Sequence, residues 1–325
     1  MNNLSLPSFL QIQDIKNQGN PNFVSATYQF SERIGKSRSH CLWWPCTNSQ
    51  PKTILLFVPG NPGLADFYTS YLSHVHNSSS SPTAILALSH IGLSSSVEPV
   101  PLAFSSLQAQ VAGVIECVES LRETFDSTFS LVLIGHSVGA WIVLQALKEV
   151  GNQVDKTFLL FPTITHIVNT PNGRKLSWLF KHPIPSILST LTNALRFLPK
   201  AAVRATLFGD WPPDQMSVLW SFLRNRHAVL ASLTMAGEEM NTIKDLDIPL
   251  LEKLGNKLYF FFATEDNWIG TNKEVIVKAL SGEAHSIRIV HGRHGIPHAY
   301  CINHSVELGE QTLQWLNADN LTRTT

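Results

Sequence analysis

The sequence predicts an α/β protein: a mostly parallel central sheet flanked by helices, with a helical insertion. Three observations predict it. Short apolar runs such as Thr53-Ile-Leu-Leu-Phe-Val58 recur, as strands buried on both faces should. Helical stretches separate these runs, which implies right-handed crossovers and a parallel sheet. The rhythm stops between about Thr163 and Asp247 and resumes at Lys257-Leu-Tyr-Phe-Phe-Phe-Ala263.

The elements follow in order. Residues 1–22 are polar with scattered Pro and Gly and read as a loosely held arm. Phe23 to Phe30 and His40 to Trp44 are rich in β formers and read as an antiparallel hairpin. The buried strand at Thr53 to Val58 breaks at Pro59-Gly60-Asn61-Pro62-Gly63, and a helix follows from about Leu64 to His76. Thr83 to Leu88 is the next buried strand, and Leu102 to Glu123 an amphipathic helix. Leu131 to Ile134 and Thr157 to Phe161 are two more strands with a helix between them. Beyond the insertion come a helix near Asn272 to Ala279, a last strand at Ser286 to Val290 and a closing helix from about Ala299 to Leu316. This divides the chain into an arm (1–22), a core (23–162 and 248–325) and a helical cap or lid (163–247).

Composition bounds the function classes. The 325 residues are 44% apolar, enough for a sizeable core, and only 15% charged. Lys plus Arg and Asp plus Glu are both 24, so no global basic field invites nucleic acid. The four cysteines, Cys41, Cys46, Cys117 and Cys301, form no C-x-x-C pair, which argues against zinc or a disulfide framework. Met1-Asn-Asn-Leu-Ser-Leu lacks the basic-then-apolar pattern of a signal peptide, so a reducing, cytosolic setting is expected.

The chemistry is carried by Gly135-His136-Ser137-Val138-Gly139. It fits G-x-S-x-G and lies between an apolar strand and an apolar helix, the context of a nucleophile elbow. Such a turn reverses the chain sharply and holds its serine in a strained conformation, while glycines on either side let strand and helix approach. A serine hydroxyl needs an adjacent base and a third group to orient that base. In the α/β-hydrolase order the acid and then the histidine follow the serine. The acid belongs after the strand that follows the insertion, where Asp266 is the candidate and Glu265 the alternative. The histidine belongs after the last strand, where His298 leads and His294 is second. His291 lies too close to the strand end, and His304 falls two turns into the expected helix. An oxyanion hole needs two N–H donors. Val138, next after the serine, offers one, and Asn61 in the Pro-Gly-Asn-Pro-Gly loop offers the other, since Pro62 has none. This chemistry calls for no metal or organic cofactor.

From about Ile54 to Trp315 these motifs resemble the lipid droplet-associated hydrolase family. The shared features are the Pro59 to Gly63 loop with Asp66-Phe67-Tyr68 after it, the Gly-His-Ser-x-Gly elbow, Asp266 with Trp268, and His298-Ala299-Tyr300. The resemblance implies an α/β-hydrolase fold with Ser137, Asp266 and His298 as the catalytic residues. It also implies hydrolysis of a lipid ester, such as a sterol ester or acylglycerol, and a location on lipid droplets and the cytosolic face of the endoplasmic reticulum.

The insertion has its own character. Between Thr165 and Met235 it holds eight basic residues (Arg174, Lys175, Lys181, Arg196, Lys200, Arg204, Arg224 and Arg226) and two acidic ones, Asp210 and Asp214. Ile184, Ile187, Leu188, Leu191, Leu195 and Leu198 follow one helical face, with Pro183 and Pro185 at its start and Pro199 at its end. Trp178, Phe180, Phe197, Phe208, Trp211 and Trp220 add aromatics. No apolar run reaches the ~18 residues of a spanning helix, so the face suits either an interfacial element or a lid packed on the core. Two functions are therefore open: a serine hydrolase of lipid esters, and a droplet-surface structural or tethering protein with a slow or vestigial site.

Overall fold

The structure is a computed structural model that describes residues 6–12, 22–46, 50–125, 128–192, 194, 210–280, 288–293 and 295–321. Among the described residues nine strands form one sheet: β1 (Leu10–Ile12), β2 (Val24–Gln29), β3 (Arg38–Trp44), β4 (Thr53–Val58), β5 (Thr83–Leu88), β6 (Ser130–His136), β7 (Lys156–Leu160), β8 (Leu258–Phe262) and β9 (Arg288–His291). Their order is β1-β2-β3-β5-β4-β6-β7-β8-β9. From β5 to β9 every neighbouring pair is parallel. The first three strands join antiparallel at one edge.

The central strands form because their residues have both faces to bury. Ile54, Leu55, Leu56 and Phe57 on β4 and Ile85 and Leu86 on β5 are wholly inaccessible to solvent. The helices α1 (Thr69–Ser78), α2 (Leu107–Thr124) and α3 (Val138–Val150) connect the strands up to β7. Ser106 caps α2 by accepting from the Ala109 N–H.

The sequence reading needs three corrections. Within residues 1–22, expected as a loose arm, Leu10–Ile12 pair with β2 and Leu10 is buried. A three-residue edge strand leaves too short a pattern to read. The closing helix begins at Ser305, later than expected, because residues 298–303 form turns. His304 therefore precedes that helix instead of lying two turns into it.

Between β7 and β8 the described residues are helical: α4 (Pro171–Leu176), α5 (Ile184–Thr192), α6 (Pro213–Leu223), α7 (Arg226–Thr242) and α8 (Ile248–Leu254). After β8 come α9 (Asn272–Leu280), β9 and α10 (Ser305–Leu321). The orientation of α5 answers a question that its sequence leaves open. Its buried residues are Pro185 and Ser189, and it packs against α7. Ile187 and Leu191 are 52% and 62% exposed, and Trp178 in the preceding 3-10 turn is 55% exposed. Ile187 and Leu191 thus point away from the core, while Ile184 and Leu188 on the same helix are half-buried. Leu195, Leu198, Pro199, Arg196, Lys200, Arg204, Phe197 and Phe208 lie outside the described residues. Among the described residues no helix is long and apolar enough to cross a membrane.

Candidate active site

Ser137 lies where β6 ends and α3 begins, at φ 55° and ψ −123°. A left-handed φ on a residue with a Cβ is strained and survives only where the surroundings enforce it. They do so here. The Ser137 N–H donates to the Leu160 carbonyl on β7 at 3.0 Å, and its carbonyl accepts from Ala140 at 3.0 Å. A Cβ on Gly135 would stand 2.6 Å from the Gly139 carbonyl oxygen, and one on Gly139 would strike the carbonyls of Val58 and Pro59. Only glycine permits this crossing of strand and helix.

Ser137 Oγ lies 2.8 Å from His298 Nε2, across a sequence separation of 161 residues. His298 Nδ1 lies 2.7 Å from Asp266 Oδ2. A carboxylate accepts, so Nδ1–H donates to it, and the tautomer that this bond favours leaves Nε2 to accept from the serine hydroxyl. Asp266 is fixed in its turn: its Oδ1 accepts from the Trp268 N–H at 2.8 Å and its carbonyl accepts from the Gly270 N–H at 2.7 Å. The side chains of Asp266 and His298 are 5% and 17% exposed. The Trp268 and His298 ring centroids are 6.5 Å apart.

The other candidates lie elsewhere. Glu265 is exposed. His291 ends β9 beside the Phe262 ring. His304 Nδ1 lies 3.0 Å from Glu307 Oε1. His294 lies outside the described residues. Val138 opens α3, whose first N–H groups have no partner within the helix. Asn61 lines a cavity of about 390 Å³ together with Ser137 and His298. Its apolar walls include Phe67, Phe180, Trp211, Phe222 and Met240. That size falls within the roughly 300–1,000 Å³ of small-molecule sites.

Three further residues join this site without having been singled out by the sequence. Two belong to a hydrogen-bond chain whose directions follow from its ends. A carbonyl can only accept, so His136 Nε2–H donates to the His298 carbonyl at 3.0 Å. Burial, together with the neighbouring His298, holds the His136 imidazole far below its ordinary range, so the ring is neutral. Its Nδ1 then accepts from the Tyr68 hydroxyl at 2.7 Å, and the Tyr68 oxygen accepts from the Gly60 N–H at 3.2 Å. The third is Glu239 on α7, a buried carboxyl in the cavity wall. Burial raises its pKa to about 7, against the pull of a hydrogen bond from Asn61. His136 and Tyr68 were visible inside the motifs; Glu239 had no local signal beyond two adjacent glutamates in a helix. Asp66 of the same motif serves elsewhere, with its Oδ2 3.3 Å from His40 Nδ1 on β3.

A model of the family described as lipid-droplet associated hydrolase matches residues 51–301. The chain belongs to that family. Lipid droplet-associated hydrolases resemble it along most of their length: the chicken protein is 28% identical over 84% of this chain and 87% of its own. The human one is 25% identical over 83% and 86%. Among solved structures, a haloalkane dehalogenase variant from Bradyrhizobium elkanii superposes with TM-score 0.67 at 11% identity, over 94% of this chain and 100% of its own. That likeness establishes the α/β-hydrolase fold, and the family establishes a hydrolase associated by name with lipid droplets.

Proposed function

We propose that the protein is a serine ester hydrolase that acts on lipid esters, such as sterol esters or acylglycerols, at the droplet surface. The observation that carries this reading is the unbroken Ser137–His298–Asp266 hydrogen-bond chain at the wall of an apolar cavity. Ser137 Oγ attacks the ester carbonyl as its proton passes to His298 Nε2. Asp266 keeps the imidazole oriented and stabilises the cation that forms. The oxyanion is held by the backbone N–H groups of Asn61 and Val138. His298 then protonates the departing alcohol, and later takes a proton from the water that releases the acid.

The insertion supplies the surface contact. Exposed Trp178, Ile187 and Leu191 share it with exposed Arg174, Lys175 and Lys181. Apolar anchors with basic neighbours suit an interface bearing anionic lipid. The surface is that of droplets and of the cytosolic face of the endoplasmic reticulum.

Labelling by a fluorophosphonate, which requires an activated serine, tests the chemistry. Wild type should label, whereas Ser137→Ala and His298→Ala should not. A folded wild type that fails to label would leave the droplet-tethering reading.

A further inference from the structure

The Asn61 carboxamide is consumed by one helix of the insertion. Its Nδ2 donates to the Ser232 carbonyl at 3.0 Å and to Glu239 Oε1 at 2.9 Å. Its Oδ1 accepts from Ser232 Oγ at 2.5 Å. Ser232 and Glu239 lie two helical turns apart on α7, on one face. Both are buried. The residue before Glu239, Glu238, holds the core as well: its Oε2 accepts from the Leu107 N–H at the start of α2, at 2.8 Å. The other end of the loop is tied to the core through Gly60 and Tyr68.

We infer that Glu239 and Ser232 are positioning residues for the oxyanion loop: they fix the Asn61 side chain, so that the backbone N–H of Asn61 is aimed only while α7 is seated. This rests on the serine hydrolase reading. The argument is one of constraint. A loop residue between two tethers has little freedom left to turn its peptide plane. Tyr68 holds one side through the sheet, and α7 holds the other through the carboxamide. The N–H of Asn61 makes no contribution to either tether, so it stays available for a developing oxyanion. Removal of the α7 tether leaves Ser137, His298 and Asp266 in place and loosens one donor. Such a loss weakens transition-state binding more than substrate binding, so it lowers kcat with little change in KM.

The test uses the full chain and a soluble short-chain ester, p-nitrophenyl butyrate, so that no lipid surface is needed. Glu239→Leu fills the buried volume without an acceptor; Glu239→Gln keeps an amide oxygen facing Asn61 Nδ2. Loss of one oxyanion donor costs on the order of a hundred- to a thousandfold, so a loosened one should lower kcat by at least about tenfold in Glu239→Leu. KM should stay within about threefold, and Glu239→Gln should restore kcat to within about threefold of wild type. Ser232→Ala, which removes one of the three bonds with little change in volume, should give a smaller loss of the same kind and serves if Glu239→Leu does not fold. Wild-type kcat in folded Glu239→Leu or, where that variant does not fold, in Ser232→Ala overturns the inference, as does a Glu239→Gln loss as deep as that of Leu. The absence of Ser137-dependent turnover in wild type would instead overturn the hydrolase reading on which the inference rests.

Discussion

The elbow and the insertion line the same cavity, and they are built by different rules. At the elbow every dimension is set by backbone against backbone: β6 meets α3 through glycines, with the carbonyls of Val58 and Pro59 where a side chain would go. In the insertion, α5 turns Pro185 and Ser189 inward and leaves Ile187 and Leu191 outside. Its companion α7 reaches the Pro59–Gly63 loop through hydrogen bonds to the Asn61 side chain, two from its own side chains and one from the Ser232 carbonyl. The elbow therefore has no slack, whereas the insertion has a surface that folding does not use. A substitution in the first should threaten the fold, and one in the second should change how the protein works.

The largest effect should come from Gly139→Val. Its branched side chain must displace two backbone carbonyls of β4 and the loop after it. A cost above about 4 kcal/mol is expected, seen as loss of soluble protein or of a cooperative melt. A variant that melts like wild type would mean that the elbow is as tolerant as the insertion.

Next comes the titration of Glu239. Its carboxyl rises from 4.5 to about 7 on folding, so the folded state prefers the protonated form. The associated stability is present below about pH 4.5 and is lost as pH rises through about 7. Glu238, on the same helix, raises the value, and the group facing it from the loop, Asn61, is neutral and lowers it. Glu239→Gln cannot titrate. Relative to wild type it should gain stability between pH 4.5 and 8, up to roughly 3 kcal/mol, read from melting temperatures across that range. A constant difference would show that Glu239 does not titrate there.

Tyr68→Phe should cost less, about 1–3 kcal/mol, because it leaves the Gly60 N–H and His136 Nδ1 without their shared partner. Denaturant unfolding measures it, and a neutral outcome would show that the chain through Tyr68 is not needed to hold the loop.

The smallest stability effect should come from Ile187→Asp with Leu191→Asp. Both side chains are already in solvent, so unfolding should shift by less than about 0.5 kcal/mol per site. Droplet binding should nevertheless fall, since each Leu or Ile buried in lipid is worth roughly 1.5–3 kcal/mol. Flotation with artificial droplets reads the binding; a doubly substituted protein that floats like wild type would remove this face from the contact.

The same contrast explains what the sequence made legible. The strands at Thr53–Val58 and Thr83–Leu88 match their expected bounds, because burial on both faces writes a continuous apolar run. The elbow was readable because its geometry demands particular residues within five positions. Asp266 and His298 were approachable through chain order, although Glu265 and His294 stood close enough to compete. The role of Glu239 had no such signature. Its partner Asn61 is 178 residues away, and only the fold turns an ordinary helical glutamate into a buried one. The orientation of α5 was equally hidden, since an apolar stripe specifies an environment and says nothing of whether protein or lipid provides it.

The register of β7 on β8 has a consequence for how this family can vary. Thr157 pairs with Leu258 and Leu160 with Phe261, so residues 161–257 form one long excursion between neighbouring strands. The entropy of closing a loop grows only with the logarithm of its length, so doubling or halving the excursion changes the closure cost by just about 0.6 kcal/mol. The sheet is thus nearly indifferent to how much chain it holds out. A lineage can lengthen, trim or replace that chain to meet a new surface while the strands of the sheet keep their pairing, provided that what it builds still offers a grip on Asn61.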